Sequence, residues 1–283
     1  MAIQVVWWDQ GRGNWDHGLL MEVFDFHSEM FPQHNSKELI YPGEAIVIVT
    51  GKPKVAPLRA WLETLKSGLV ILTSDEESYF DWKSAIPGHL DIWTSYYHPN
   101  KAEIKERILL GPPSRIKNHI IDHLAPKKYL WSFMGQMQNP FRDKCINLLK
   151  SLKDSGGELS NGFLHRAPMF GGQVDGIEYQ QYLDITAQSK YVICPAGSMC
   201  VDSFRFYEAM ECGSIPITDK RSPRDSPDFN YWREVIGANT IITVNDWDEL
   251  PDILLNGRPY EGNFWWDRYK TEFEHKLLRY AVD

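Results

Sequence analysis

Arg205 and Glu208 stand three residues apart in SFRFYEAM, which puts both on one face if the segment is helical. A guanidinium in the first turn of a helix can grip phosphate oxygens with its fork of donors. A carboxylate about 5 Å further along the axis can accept hydrogen bonds from both hydroxyls of a ribose. The two residues read as part of a ribonucleoside phosphate site. They read equally well as an ion pair on a solvated helix, and their spacing leaves both open.

The stretch around them has the form such a site needs. Lys190 to Cys194 is a short apolar run ending at Pro195, as expected of a buried strand. Pro195, Gly197 and Ser198 form a loop, and Asp202 or Ser203 can cap a helix over Phe204 to Cys212. Gly213 supplies the left-handed stop, and Ser214 to Thr218 returns as a second apolar strand. Two parallel strands joined through a helix place its N-terminus at the carboxyl edge of the sheet, where open α/β sheets bind ligands. Free N–H groups and the positive dipole end there suit a phosphate.

The rest of the chain alternates in the same way. Strands are expected at Ile3 to Trp8, Ala45 to Thr50, Leu69 to Thr73 and His89 to Thr94. Helices are expected at 19–31 and at 55–67, the latter carrying Leu58, Trp61, Leu62 and Leu65 at helical spacing and closed by Gly68. A helix-like run over 114–124 leads to Ala125-Pro126-Lys127-Lys128, the expected linker. Beyond it, Tyr129 to Phe133 is a strand, Asn139-Pro140 starts a helix, and Glu178 to Gln188 is a helix feeding the central strand. Phe264 to Tyr280 is a closing helix with Trp265, Tyr269, Phe273, Leu277 and Tyr280 down one side. Such alternation predicts parallel sheets covered on both faces. The expected division is 1–126, 127–263 and a closing helix, 264–283, that returns to the first domain.

With 283 residues, 43% of them hydrophobic, the chain is long enough for two cores. A net charge of −8 argues against wrapping nucleic acid through overall charge. One stretch is basic, with Lys101, Lys105, Arg107, Arg115, Lys117, Lys127 and Lys128, and forms either a cationic face or an ordinary solvated surface. No apolar run is long enough to span a bilayer, and MAIQVVWWDQ lacks a basic leader, so a cytoplasmic bacterial or viral protein is expected. Cys145, Cys194, Cys200 and Cys212 fit no zinc spacing and read as buried thiols.

Pro195-Ala-Gly197, Ser203-Phe-Arg205, Glu208-Ala209 and Gly213-Ser-Ile-Pro216-Ile together resemble the nucleotide-sugar signature of the exostosin family of glycosyltransferases. The similarity extends upstream to Ser132-Phe-Met-Gly135 with Arg142 and to Tyr179 through Ser189, about the last half of the chain. This resemblance implies an α/β fold of the GT-B class, two Rossmann-like domains facing each other across a cleft. It implies inverting transfer from a nucleotide diphosphate sugar, a uridine one, to an acceptor hydroxyl, foremost a glycan's. The donor would be held by Gly135, Arg142, Pro195, Gly197, Ser198, Ser203, Arg205 and Glu208, with Lys220 and Arg166 as lesser candidates. Cations and backbone N–H groups would stabilise the leaving diphosphate, so neither a metal nor a resident cofactor is expected.

Inverting transfer requires a base on the acceptor side. Asp75 directly follows the strand LVILT and is the first choice, although helix capping explains it too. Asp9, Asp16 and His17 follow the first strand and are the alternatives. The order strand, helix, strand, Thr-Ser-Asp also resembles the N-terminal half of phage DNA-base glucosyltransferases. That raises double-stranded DNA with hydroxymethylated bases as an alternative acceptor. A nucleotide-sugar-binding α/β protein without transferase activity, or an epimerase of the same fold, is the reading of another class.

Overall fold

The computed structural model describes residues 2–8, 15–35, 43–97, 101, 103–104, 106–137, 139–166, 177–197, 199–222, 224–238 and 240–282. Its chain divides into two compact units, 1–115 with 268–283, and 116–267.

In the first unit the strands are β1 (Gln4–Trp8), β2 (Gln33–Asn35), β3 (Glu44–Thr50), β4 (Ser67–Thr73), β5 (Asp91–Thr94) and β6 (Glu106–Arg107). They form a sheet of order β2-β1-β3-β4-β5-β6, every pairing parallel. Ala45–Val49 and Leu69–Leu72 are buried along their whole length, because a parallel sheet covered on both faces needs continuous apolar runs. Helices α1 (Gly18–Phe26), α2 (Val55–Leu62) and α3 (Trp82–Ala85) provide cover. Thr50 and Thr73 end β3 and β4 and are partners in register.

Helix α2 stops at Leu62, not at Ser67 as the apolar spacing predicts. Thr64 N–H donates to Trp61 O and Leu65 N–H to Leu62 O, a tightened last turn that redirects the chain into β4. Gly68 therefore lies inside β4 and does not close a helix; with φ at +149° it passes so close to Ala45 O that a Cβ would collide with it.

The second unit repeats the plan with β7 (Tyr129–Gly135), β8 (Gly162–Arg166), β9 (Ser189–Cys194), β10 (Ile215–Asp219) and β11 (Ile242–Val244) in the order β11-β10-β9-β7-β8, again all parallel. Its helices are α4 (Asp143–Asp154), α5 (Tyr179–Ala187), α6 (Phe204–Glu211), α7 (Tyr231–Glu234) and α8 (Leu250–Asn256). Trp131, Phe133, Leu149, Ile193, Ile217, Leu250 and Leu254 lie in its core. Both sheets share one winding. The second strand sits outside the first, and the third lies on the first strand's other side. Such a switch point, between β1 and β3 and again between β7 and β9, opens a crevice at the carboxyl ends of the strands. The chain is thus α/β with two parallel sheets, the complement of elements expected of the GT-B class.

The segment expected as a linker lies inside the second unit, whose boundary falls between Arg115 and Ile116. Ile116, Ile121 and Ala125 pack with Leu183, Ala187 and Cys212, and Lys127 Nζ donates to Ala187 O, Gly213 O and Ser214 Oγ. Only Ser114–Asn118 of the expected helix forms, as a 3-10 turn. The basic stretch is not one cationic face: Lys101 is fully interior and Lys127 is tied to backbone oxygens. The closing helix, α9 (Gly262–Val282), belongs to the second unit up to Asp267 and to the first from Arg268 onward. In the first unit it buries Phe273 and Leu277, and Tyr280 Oη donates to Asp91 Oδ2.

Helix α6 ends as its sequence predicts. Gly213 takes φ +63°, its N–H donates to Met210 O, and Ser214 N–H donates to Ala209 O. An added Cβ at Gly213 would sit 3.0 Å from His123 O. Gly213→Ala should therefore lower the unfolding free energy by about 1–2 kcal/mol, measured by urea titration; an unchanged midpoint would contradict this account of the helix end.

Candidate active site

At the β7/β9 switch point two arginines are anchored by backbone oxygens. Arg205, in the first turn of α6, donates from Nε to Met134 O at 3.0 Å, and its guanidinium lies 4.8 Å over the Phe133 ring. It occupies the space a Cβ on Gly135 would fill, which is the physical reason for glycine at the end of β7. Arg142 is 9% exposed and donates from Nε to Ala196 O at 2.9 Å. From the other side Asp219 Oδ2 accepts the Ala196 N–H at 2.7 Å. Burial is the largest influence on the Asp219 carboxyl and pushes it up to about 6.

The turn after β9 is held further by Gly197 N–H donating to Cys200 O at 2.9 Å, with Pro195 buried beneath it. Ser203 is the N-cap residue of α6, but its side chain caps nothing. Its Oγ is buried without a hydrogen-bond partner among the described residues. Ser198 lies outside the described residues. Arg166 ends β8 exposed, and Lys220 follows β10 half-buried.

Glu208 is 5% exposed and does not pair with Arg205. Its Oε1 accepts from Tyr179 Oη and its Oε2 from Tyr182 Oη, each at 2.6 Å. The reading of Arg205 and Glu208 as a surface ion pair is thereby removed.

In the first unit the β1/β3 switch point gathers a different chemistry. His17 is fully buried, and its Nε2 lies 3.0 Å from both Thr50 Oγ1 and Thr73 Oγ1. Burial drives His17 down to about 4, so it is neutral at ordinary pH. Asp16 Oδ2 accepts from Ser74 Oγ. Its Oδ1 is buried, without a hydrogen-bond partner among the described residues, 3.6 Å from His17 Nε2. Burial, the dominant influence, raises the Asp16 carboxyl above the usual carboxylate range. Ser74 holds φ +53°, a strained value for a non-glycine residue that aims its hydroxyl at Asp16.

Asp75, first choice for the base, is otherwise engaged. Its Oδ1 accepts from Tyr79 N–H and its Oδ2 from Phe80 N–H, and Oδ2 meets the buried Lys101 ammonium at 2.8 Å. Two amides and an ammonium thus fill its oxygens and anchor the loop after β4. No helix starts there either; the carboxylate closes a turn. Asp9 lies outside the described residues, which leaves Asp16 as the carboxylate with an open oxygen.

Three further participants are brought in by the fold. Tyr179 and Tyr182 are spaced so as to share a helix face, and Asp219 ends the second central strand; their partners lie 23 to 29 residues away in sequence. Among the described residues no group of His, Cys, Asp and Glu has the arrangement of a metal site, and all four cysteines are free thiols.

The two parallel sheets define the chain's α/β class, and the family it belongs to makes it a glycosyltransferase. Residues 114–279, more than half of the chain and the whole second sheet, match the family model of the RXYLT1 C-terminal domain, and the chain belongs to that family. Among solved structures, the crystal structure of an α1,3-fucosyltransferase aligns over 89% of this chain and 77% of its own, at 13% identity and a TM-score of 0.45. No curated protein sequence matches. No helix among the described residues is long and apolar enough to cross a membrane.

The neutral His17 has a measurable consequence. An unfolded chain protonates histidine below about 6.5, whereas the folded chain resists until about 4. Between those values the unfolded state binds more protons, so stability falls as pH falls through that window. Asp16 titrates in wild type and variant alike and largely cancels in the comparison. From pH 7 to pH 4.5, wild type should lose about 2–3 kcal/mol more than His17→Gln, read from urea midpoints; equal losses would show that His17 is not buried neutral.

Proposed function

We propose that this glycosyltransferase is an inverting enzyme that moves a sugar from a uridine diphosphate sugar to a saccharide hydroxyl. Arg142, Arg205 and Glu208 hold the donor, and Asp16 is the base. One observation carries the reading: Arg142 and Arg205 are both fixed to backbone oxygens at the β7/β9 switch point, beside the N-terminus of α6. Two positioned cations beside the positive end of a helix dipole are what a departing diphosphate needs.

In this reading the acceptor oxygen attacks the anomeric carbon from the face opposite the leaving group. Its proton passes to Asp16 Oδ1, the C–O bond to the diphosphate breaks, and that electron pair leaves on the diphosphate. Arg142, Arg205 and the α6 amides take up the developing charge, so the leaving group requires no metal ion. Glu208 accepts the ribose hydroxyls. Burial raises the affinity of Asp16 for a proton, which suits a base. A saccharide acceptor is preferred to DNA because Lys101 and Lys127, two cations of the basic stretch, are internally bonded.

Gly135→Ala displaces the Arg205 guanidinium and brings a methyl to 3.3 Å from the Phe133 ring, so it should weaken UDP binding about tenfold in a protein that circular dichroism shows to remain folded. Calorimetric titration checks this, and unchanged affinity would remove Arg205 from the donor site. Asp16→Asn should lower turnover about 10²-fold or more while UDP affinity stays at the wild-type value. Near-normal turnover in a radiolabelled-sugar transfer assay would remove Asp16 as the base.

A further inference from the structure

Glu208 is a buried carboxyl group with an incomplete set of partners. Among the described residues it forms no ion pair, and its hydrogen bonds are the two from Tyr179 and Tyr182. Each carboxylate oxygen offers two lone pairs, so two remain, one on each oxygen. A carboxylate that is 5% exposed and half satisfied is an uncomfortable group unless something else donates to it.

The two phenols are themselves fixed. Tyr179 and Tyr182 stand on one face of α5 with their rings stacked, centroids 5.6 Å apart and planes 9° from parallel. The His119 ring meets Tyr179 edge-on at 4.9 Å, and Gln180 Nε2 donates to Ile120 O, tying α5 to the 119–120 segment. Burial drives the Tyr182 hydroxyl well above its ordinary range, so it remains a donor at any working pH. Two donors at a fixed spacing set the plane of the carboxylate. Glu208 is thereby pre-organised and loses no further rotamer freedom on accepting a ligand.

We propose that Tyr179 and Tyr182 are positioning residues that turn the two open lone pairs of Glu208 toward a vicinal diol, and so make the site selective for ribo- over 2′-deoxyribonucleotides. The proposal rests on Glu208 being the ribose acceptor of the donor site. It goes further in assigning the selectivity to side chains that do not touch the nucleotide. Losing a phenol frees the carboxylate to rotate, which weakens a bond only the 2′-hydroxyl can make. A ligand lacking that hydroxyl is little affected.

The test measures calorimetric affinities of UDP and GDP, each beside its 2′-deoxy counterpart. Four proteins are compared: wild type, Glu208→Gln, Tyr179→Phe and Tyr182→Phe. Wild type should prefer the ribo form of at least one pair by about tenfold or more, and each Tyr→Phe variant should reduce that preference to about threefold or less. The deoxy affinities should stay near wild type. A purely structural role would lower both affinities together and leave the ratio intact, which overturns the proposal. A ratio lost in Glu208→Gln but retained in both tyrosine variants overturns it alone and leaves the ribose site standing. No binding by wild type, or no ribo preference, removes the ribose site and the proposal with it. If Tyr182→Phe fails to fold, Tyr179→Phe, whose ring is only partly buried, decides the matter.

Discussion

The backbone of one residue, Ala196, is gripped from both sides, by Asp219 on its N–H and by Arg142 on its carbonyl. Everything at the carboxyl edge of the second sheet depends on that grip. It fixes the turn leaving β9 and hence where α6 begins. Asp202, in the same connection, is held by the hydroxyls of Tyr207 and Tyr231. Helix α6 in turn carries Arg205 to the end of β7 and Glu208 to the tyrosines of α5. The grip is itself costly, since burial drives the Asp219 carboxyl up to about 6 and leaves Arg142 almost fully enclosed. Two partly desolvated charges on one backbone segment make sense where geometry must be held closely, as at a site that stabilises a leaving group.

The first unit has the same strand winding but an opposite chemistry at its switch point. There the groups are neutral or acidic: a histidine kept uncharged, two threonine hydroxyls and a carboxyl with an open oxygen. The loop after β4 is made rigid around them. Ser74 and Ser78 both hold positive φ, and the interior Lys101–Asp75 pair ties the turn between them. Strained residues beside a buried ion pair persist only where the surroundings over-determine them. Here they set Ser74 Oγ against Asp16. One fold thus yields a cationic crevice and an acid–base crevice from residues at the carboxyl ends of its strands.

Much of this was legible in the chain because it is local. The strand–loop–helix–strand unit from Ser189 to Asp219, the Gly213 stop and the apolar runs of β3 and β4 follow from neighbours a few residues apart. The resemblance likewise led to the glycosyltransferase class through short motifs, each read from adjacent residues. What was not legible depends on distant partners. Asp75 has the right place for a base, but Lys101 lies 26 residues away and turns it into an anchor. Glu208 and Arg205 have ion-pair spacing, yet each is taken by groups from other strands and helices. Gly68 looks like a helix stop, and only the close approach of Ala45 O explains it.

The most direct test is a crystal structure of the protein with UDP bound. The account predicts the diphosphate on the Arg142 and Arg205 guanidinium groups and the first amides of α6, with the ribose hydroxyls on Glu208. A diphosphate bound elsewhere in the second unit, with Arg142 and Arg205 still engaged only to backbone oxygens, would contradict it.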